Sequence, residues 1–151
     1  MTETIKTGKK LTVSKEDYLK AIWSLSERSL EGKSEAGTKD LADTLQVSPP
    51  AVSRMLKRME TQSLVSHTPY YGVRLTEKGR VVALKVVRRH RLLELFLWKV
   101  LNYDEDSVHD EAERLEHHIS EEFEMKIDAL LGFPKSCPHG SPIPSREGII
   151  L

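Results

Sequence analysis

His109, Glu113, Glu116 and His117 carry the first chemistry legible in the chain, within the run His109-Asp110-Glu111-Ala112-Glu113-Arg114-Leu115-Glu116-His117-His118. At about 100° per helical residue these four share one stripe, at i, i+4, i+7 and i+8. Two imidazoles and two carboxylates form a borderline-hard donor set that suits Mn2+, Fe2+, Co2+ or Zn2+. The same run also reads as a solvated acidic helix with incidental histidines. Two further clusters favour the metal reading: His90 with Glu94, at i, i+4 on another expected helix, and Cys137-Pro138-His139.

The chain has 151 residues, enough for one domain or two small ones with a real core. Net charge is zero, but unevenly spread. Leu101 to Asp128 holds eleven acidic and two basic residues, whereas Arg74 to Arg91 holds seven basic and one acidic. The first block can hold cations and the second can face phosphate, so a neutral total does not exclude nucleic acid. The single cysteine excludes an intrachain disulfide and leaves Cys137 as a thiol or a ligand, which fits a reducing compartment. The N-terminus lacks a signal-peptide apolar core, and no apolar run is long enough to span a bilayer. The expectation is a cytoplasmic protein with no membrane partner.

The elements that must position these groups are mainly α. Ser14 is placed to cap a helix running to about Glu27, with Asp17 in its first turn, where a carboxylate complements the helix dipole. Residues 28–37 read as a polar loop. Thr38–Leu45 is a short amphipathic helix, Gln46-Val47-Ser48 a tight turn, and Pro49–Glu60 the next helix, with Ser48 as N-cap and proline at N1. That is a helix-turn-helix pattern. Leu64–His67 and Val73–Thr76 can pair as strands around Thr68-Pro69-Tyr70-Tyr71-Gly72, making the pattern winged. Thr76 can cap a long helix to about Asn102. Asp104 is the expected cap of the histidine-rich helix, ending near Ile119. Ser120 caps a helix over 121–131, and Gly132 closes it. An ordered, irregular tail covers 133–151. The expected domains are a winged helix-turn-helix over 1–75 and a helical domain with that tail over 76–151.

In a helix-turn-helix, the start of the second helix faces base edges in the major groove. Here that start offers Ser48, Pro49, Pro50, Ala51, Ser53 and Arg54. Arg54 can make a bidentate contact to guanine, worth ~1–3 kcal/mol of discrimination. Lys39, Lys57, Arg58 and the wing residue Arg74 are candidates for phosphate contacts, which position without specifying. So few base-reading groups argue for a dimer on a palindromic site. Two rival readings stay open. A winged-helix regulator could answer to an organic ligand or a redox signal, with the His/Glu face structural; Cys137 has no resolving partner for the redox form. A metal-dependent hydrolase needs an open coordination position and a base, and the chain has no HExxH or nucleophile motif.

The sequence resembles the diphtheria toxin repressor family, and within it the manganese-responsive transport repressors. The resemblance rests on Lys15-Glu16-Asp17-Tyr18-Leu19, Val47-Ser48-Pro49-Pro50-Ala51-Val52-Ser53, Arg89-His90-Arg91-Leu92, His109-Asp110-Glu111-Ala112-Glu113, Glu116-His117-His118 and Leu131-Gly132-Phe133-Pro134-Lys135-Ser136-Cys137-Pro138-His139-Gly140. It covers about Ser14 to Ser145. It implies a dimeric, metal-activated repressor of metal-uptake genes, with a winged helix and a helical dimerisation and metal-binding domain. One metal position would use Asp17, Glu113, Glu116 and His117. The other would use His90, Glu94, Cys137 and His139, with His109 a lesser candidate. Mn2+ is the expected metal, Fe2+ or Zn2+ the alternatives, and no organic cofactor is expected.

Two departures bear on this. Binuclear manganese members carry Glu where this chain has Lys20, so a closely bridged metal pair is not expected. Many members add an SH3-like domain that can donate a ligand. This sequence resembles a short form without it, so water or a neighbouring residue would complete that coordination sphere.

Overall fold

The structure is a computed structural model that describes residues 15–26 and 35–150. Ser14 and most of the expected 28–37 loop lie outside the described residues. The chain divides into two compact units, Met1–Ala83 and Leu84–Leu151.

In the first unit, α1 covers residues 15–26. Helices α2 (Thr38–Leu45) and α3 (Pro49–Thr61) follow, then β1 (Val65–Thr68) and β2 (Gly72–Leu75). Gln46 ends α2 in the left-handed region, at φ 55°, which turns the chain within three residues. Ser48 caps α3 by accepting from Ala51 N at 3.3 Å, and Pro49 and Pro50 occupy the positions where a missing N–H costs nothing. α2 packs on α3, and α3 on β1. Leu19, Ile22, Leu41, Val52, Met59 and Val73 are fully buried. The antiparallel pair runs in the register Val65↔Leu75 to Thr68↔Gly72, one residue later in β1 and one earlier in β2 than alternation suggests. Ala36 bridges Val73 on its other side, so the hairpin has a third backbone partner that the sequence pattern did not reveal. Gly72, at φ +119°, permits this approach, because a Cβ there would stand 2.3 Å from Ala36 O.

Helix α4 (Glu77–Lys99) crosses the division between the units. Thr76 caps it as expected, its Oγ1 accepting from Gly79 N at 3.0 Å. The second unit continues with α5 (Val108–Leu115) and α6 (Glu121–Leu130). Its core is Leu92, Leu93, Leu97, Val108, Ala112 and Ile127, with Phe96, Leu115, Ile119, Leu131 and Ile143 against it. α5 is shorter than expected at both ends. Asp104 heads a turn, accepting from Ser107 N and Val108 N, and the helix begins only where Val108 enters the core. At the other end, His118 N bonds back to Leu115 O, a tight turn that stops α5 before Glu116. Ser120 caps α6 by accepting from Phe123 N, and Gly132, at φ 76°, follows its end.

The tail is tied to α4 by arginines. Arg88, 6% exposed, donates to Pro144 O at 3.0 Å and to Asp128 Oδ2 at 2.9 Å. Arg91 donates to Pro142 O. Removing one partner of a buried ion pair typically costs ~3–5 kcal/mol. Arg88→Met leaves Asp128, itself 13% exposed at its side chain, without its cation. The expected loss is about 3 kcal/mol in urea unfolding, with the far-ultraviolet spectrum of the folded state retained.

Candidate metal centre

The middle of α4 supplies His90 and Glu94 one turn apart, both turned inward at 7% and 3% exposure. The first turn of α5 supplies His109. The tail supplies Cys137 and His139 from a small loop closed by Ile143 N to Lys135 O, a bridge between Ser136 and Pro142, and Cys137 N to Ser141 O. Gly140, at φ 84°, completes the turn inside that loop, and Arg91 holds its base through Pro142 O.

Glu94 is the common point. Its Oε1 lies 3.5 Å from His90 Nε2, and its Oε2 lies 3.7 Å from His109 Nδ1 and 3.5 Å from His139 Nδ1. His90 Nε2 and His109 Nδ1 are 3.2 Å apart. One donor atom from each of His90, Glu94 and His109 falls within 4.8 Å of the others, and so does one from each of Glu94, Cys137 and His139. Imidazole, carboxylate and thiolate at this separation form a donor set for a borderline divalent ion. The residues therefore fit a metal on their chemistry and convergence. Burial pushes the Glu94 carboxyl up, but the hydrogen bond from His90 and the charges of His90, His139 and His109 outweigh it, and its pKa is lowered. The site thus keeps an ionised carboxylate in a place that ordinarily disfavours one.

In this unit the other expected position draws on α5 and the turn after it. His109 turns toward Glu94 with one ring nitrogen and meets Glu113 Oε1 with the other, at 3.2 Å. Glu116, fully buried, and His117 stand in the turn past α5, with His117 Nε2 3.5 Å from Glu116 Oε1. Glu116 keeps helical geometry, its N–H still bonding Ala112 O, before the turn closed by His118 N on Leu115 O ends the run short of Ile119. Asp17 lies on α1 in the first unit, half-buried, and Lys20 is half-buried on the same helix.

In the first unit, the candidate DNA residues gather at the start and outer face of α3. Ser48, Pro49, Pro50, Ser53, Arg54, Lys57 and Arg58 are exposed there, as are Lys39 on α2 and Arg74 on β2, while Ala51 is half-buried. Arg54 also acts electrostatically on Tyr18, whose pKa is raised by burial and partly restored by that guanidinium. Sequence reasoning passed over the wing tip, where Tyr70 is fully exposed at φ 69° beside exposed Tyr71. It also passed over the arginine ties to the tail, whose acceptors are mostly backbone carbonyls that leave no mark in a sequence.

The domain described as the iron dependent repressor N-terminal DNA binding domain matches residues 10–73, and the metal binding and dimerisation domain of the same group matches 76–145. The HTH-type transcriptional regulator MntR of Bacillus pumilus is 34% identical over 81% of this chain and 81% of its own length. The chain belongs to the iron-dependent repressor family. Other members include the diphtheria toxin repressor of Corynebacterium efficiens, 38% identical over 95% of this chain; the match spans 60% of that relative's length. A solved structure described as a manganese-dependent transcriptional repressor complex with manganese superposes with a TM-score of 0.83 at 46% identity, covering 91% of this chain and 61% of the other. Among the described residues no helix is long and apolar enough to cross a membrane.

For this iron-dependent repressor homologue the acid dependence of metal binding has a definite sign. Metal binding displaces protons from histidine ligands, so affinity at the Glu94 cluster should fall as the solution is acidified. Glu94, with its lowered pKa, stays ionised further down and does not set the upper limb. Competition with a chromophoric chelator across pH measures this. A flat profile from about pH 7.5 to 5.5 would remove the histidines from the ligand set.

Proposed function

We propose that the protein is a metal-dependent transcriptional repressor. It binds palindromic operator DNA as a homodimer when loaded with a divalent metal, and controls metal-uptake genes in the cytoplasm. It acts as a regulator and not as an enzyme. The observation that carries this reading is a nearly fully buried Glu94 facing His90, His109, Cys137 and His139, in a chain whose other unit presents an exposed, capped α3. The family's description as iron-dependent repressors, and the relatives' descriptions as regulators, support it.

One metal position uses His90, Glu94, Cys137 and His139, with His109 contributing. The other uses Asp17, Glu113, Glu116 and His117. Mn2+ is the preferred ion for the sulfur-free second set, and Cys137 inclines the first toward Fe2+ or Zn2+. A bound ion supplies a strong bond between ligands far apart in sequence. An ion held by Asp17 as well as by Glu113, Glu116 and His117 would favour the DNA-competent arrangement by its differential affinity for it.

At the operator, Arg54 reads base edges, Ser48, Pro49, Pro50, Ala51 and Ser53 line the approach, and Lys39, Lys57, Arg58 and Arg74 meet phosphates. Dimerisation uses the apolar side chains exposed at the end of α4 and along α6, among them Trp98, Leu101, Phe123, Met125 and Leu130. Aromatic residues and methionine are enriched at such contacts.

Fluorescence anisotropy with DNA from the upstream region tests the reading, at one salt concentration, with chelator, Mn2+, anaerobic Fe2+ or Zn2+. Tight binding is expected only with metal; equal binding in chelator would return the site to a structural role. Arg54→Ala should cost ~1–3 kcal/mol and relax preference at one base pair, whereas Lys57→Ala should weaken all sequences alike. Asp17→Ala and Glu113→Ala should each shift half-maximal DNA binding to higher metal while the circular dichroism stays folded. Operator affinity equal to the parent's at every metal concentration would refute the cross-link.

A further inference from the structure

His90 sits between two carboxylates. Its Nε2 faces the cluster, 3.5 Å from Glu94 Oε1 and 3.2 Å from His109 Nδ1. Its Nδ1 faces the other way, 3.2 Å from Glu116 Oε2. That approach is at ion-pair distance, off the line of an ideal hydrogen bond, and both atoms are buried. The second oxygen of the same carboxylate, Oε1, stands 3.5 Å from His117 Nε2. Glu116 is fully buried, and its backbone carbonyl is held by Arg89 Nη1 at 3.2 Å. Arg89 and His90 are consecutive on α4, so one helix segment grips both ends of the residue. Rotation about the Glu116 side chain would move both of its oxygens together.

We propose that Glu116 is the positioning residue for His90, and that through it the Cys137/His139 cluster and the Glu116/His117 pair are energetically linked. The inference rests on the ligand reading above. A histidine that binds metal through Nε2 carries its proton on Nδ1. A carboxylate accepting that proton fixes the tautomer, orients the ring and raises the basicity of the ligating nitrogen. Glu116 Oε2 is the carboxylate oxygen within 3.2 Å of Nδ1. The Oε1 side meanwhile presents Glu116 with His117 as a donor pair of its own. A charge placed at either end therefore changes the orientation and electron density of a group that the other end uses. By linkage, each position must alter the affinity of the other by the same factor. No shared ligand or bridged ion is required, so the substitution of Lys20 for a glutamate does not disconnect the two.

The test uses Co2+ as probe and the full chain. Cobalt bound at Cys137 gives a near-ultraviolet sulfur-to-metal charge-transfer band, which reports that position alone. In Glu116→Gln the band should still form at saturation, but its half-maximal Co2+ concentration should rise ~10–100-fold, the usual cost of losing an outer-shell carboxylate. A change under about 3-fold would overturn the proposal, since it lies below that range. Should Glu116→Gln fail to fold, 15N NMR of histidine-labelled wild-type protein with Zn2+ decides. His90 should carry its proton on Nδ1 and metal on Nε2, and the reverse assignment overturns the proposal. Neither readout involves DNA. Metal-indifferent operator binding would sink the repressor reading while leaving this link intact.

Discussion

Two carboxylates taken out of water shape the second unit. Glu94 and Glu116 are essentially inaccessible, and an ionised carboxylate in such a place costs several kcal/mol unless cations or donors surround it. The unit meets this with histidines. His90 lies between the two, His109 and His139 face Glu94, and His117 faces Glu116. Those imidazoles set polar ring nitrogens against carboxylates that burial would otherwise leave without partners.

The geometry depends on a second buried charge. Arg88 joins α4 to α6 through Asp128, and to the tail through Pro144 O. Arg91 fixes Pro142 O, at the base of the loop carrying Cys137 and His139, and Arg89 fixes Glu116 O. Arginines at 88, 89 and 91 flank His90. One stretch of helix thus supplies both donors to the cluster and anchors for the segments that complete it. An irregular tail has few backbone partners of its own, and these side chains replace them.

In the first unit, function follows from capping and turn chemistry more than from charge burial. The Ser48 cap and the two prolines after it set where α3 begins. Gln46 in the left-handed region sets how sharply α2 hands over to it. The result is a helix start with exposed small and polar groups, followed by Arg54, Lys57 and Arg58 on the solvent side. The hairpin is held by Ala36 against Val73, so the wing is anchored from the segment before α2.

Much of this was legible in the residue string, because the signals are local. Caps at Ser48, Thr76 and Ser120, the helical stripes, the paired strands and the Gly132 stop all act within a few residues of themselves. The i, i+4 spacing of His90 and Glu94 lies within one helix and needs no tertiary knowledge. Other features were decided only by packing. Whether α5 began at Asp104 or at Val108 depended on which residue reached the core. Where it ended depended on a turn closed by His118 N on Leu115 O. The convergence of Cys137 and His139 on Glu94, and the facing of Glu116 toward His90, join segments more than twenty residues apart through a tail whose anchors are carbonyls. Periodicity describes one element at a time, and only the folded arrangement says which donors from different elements share a space.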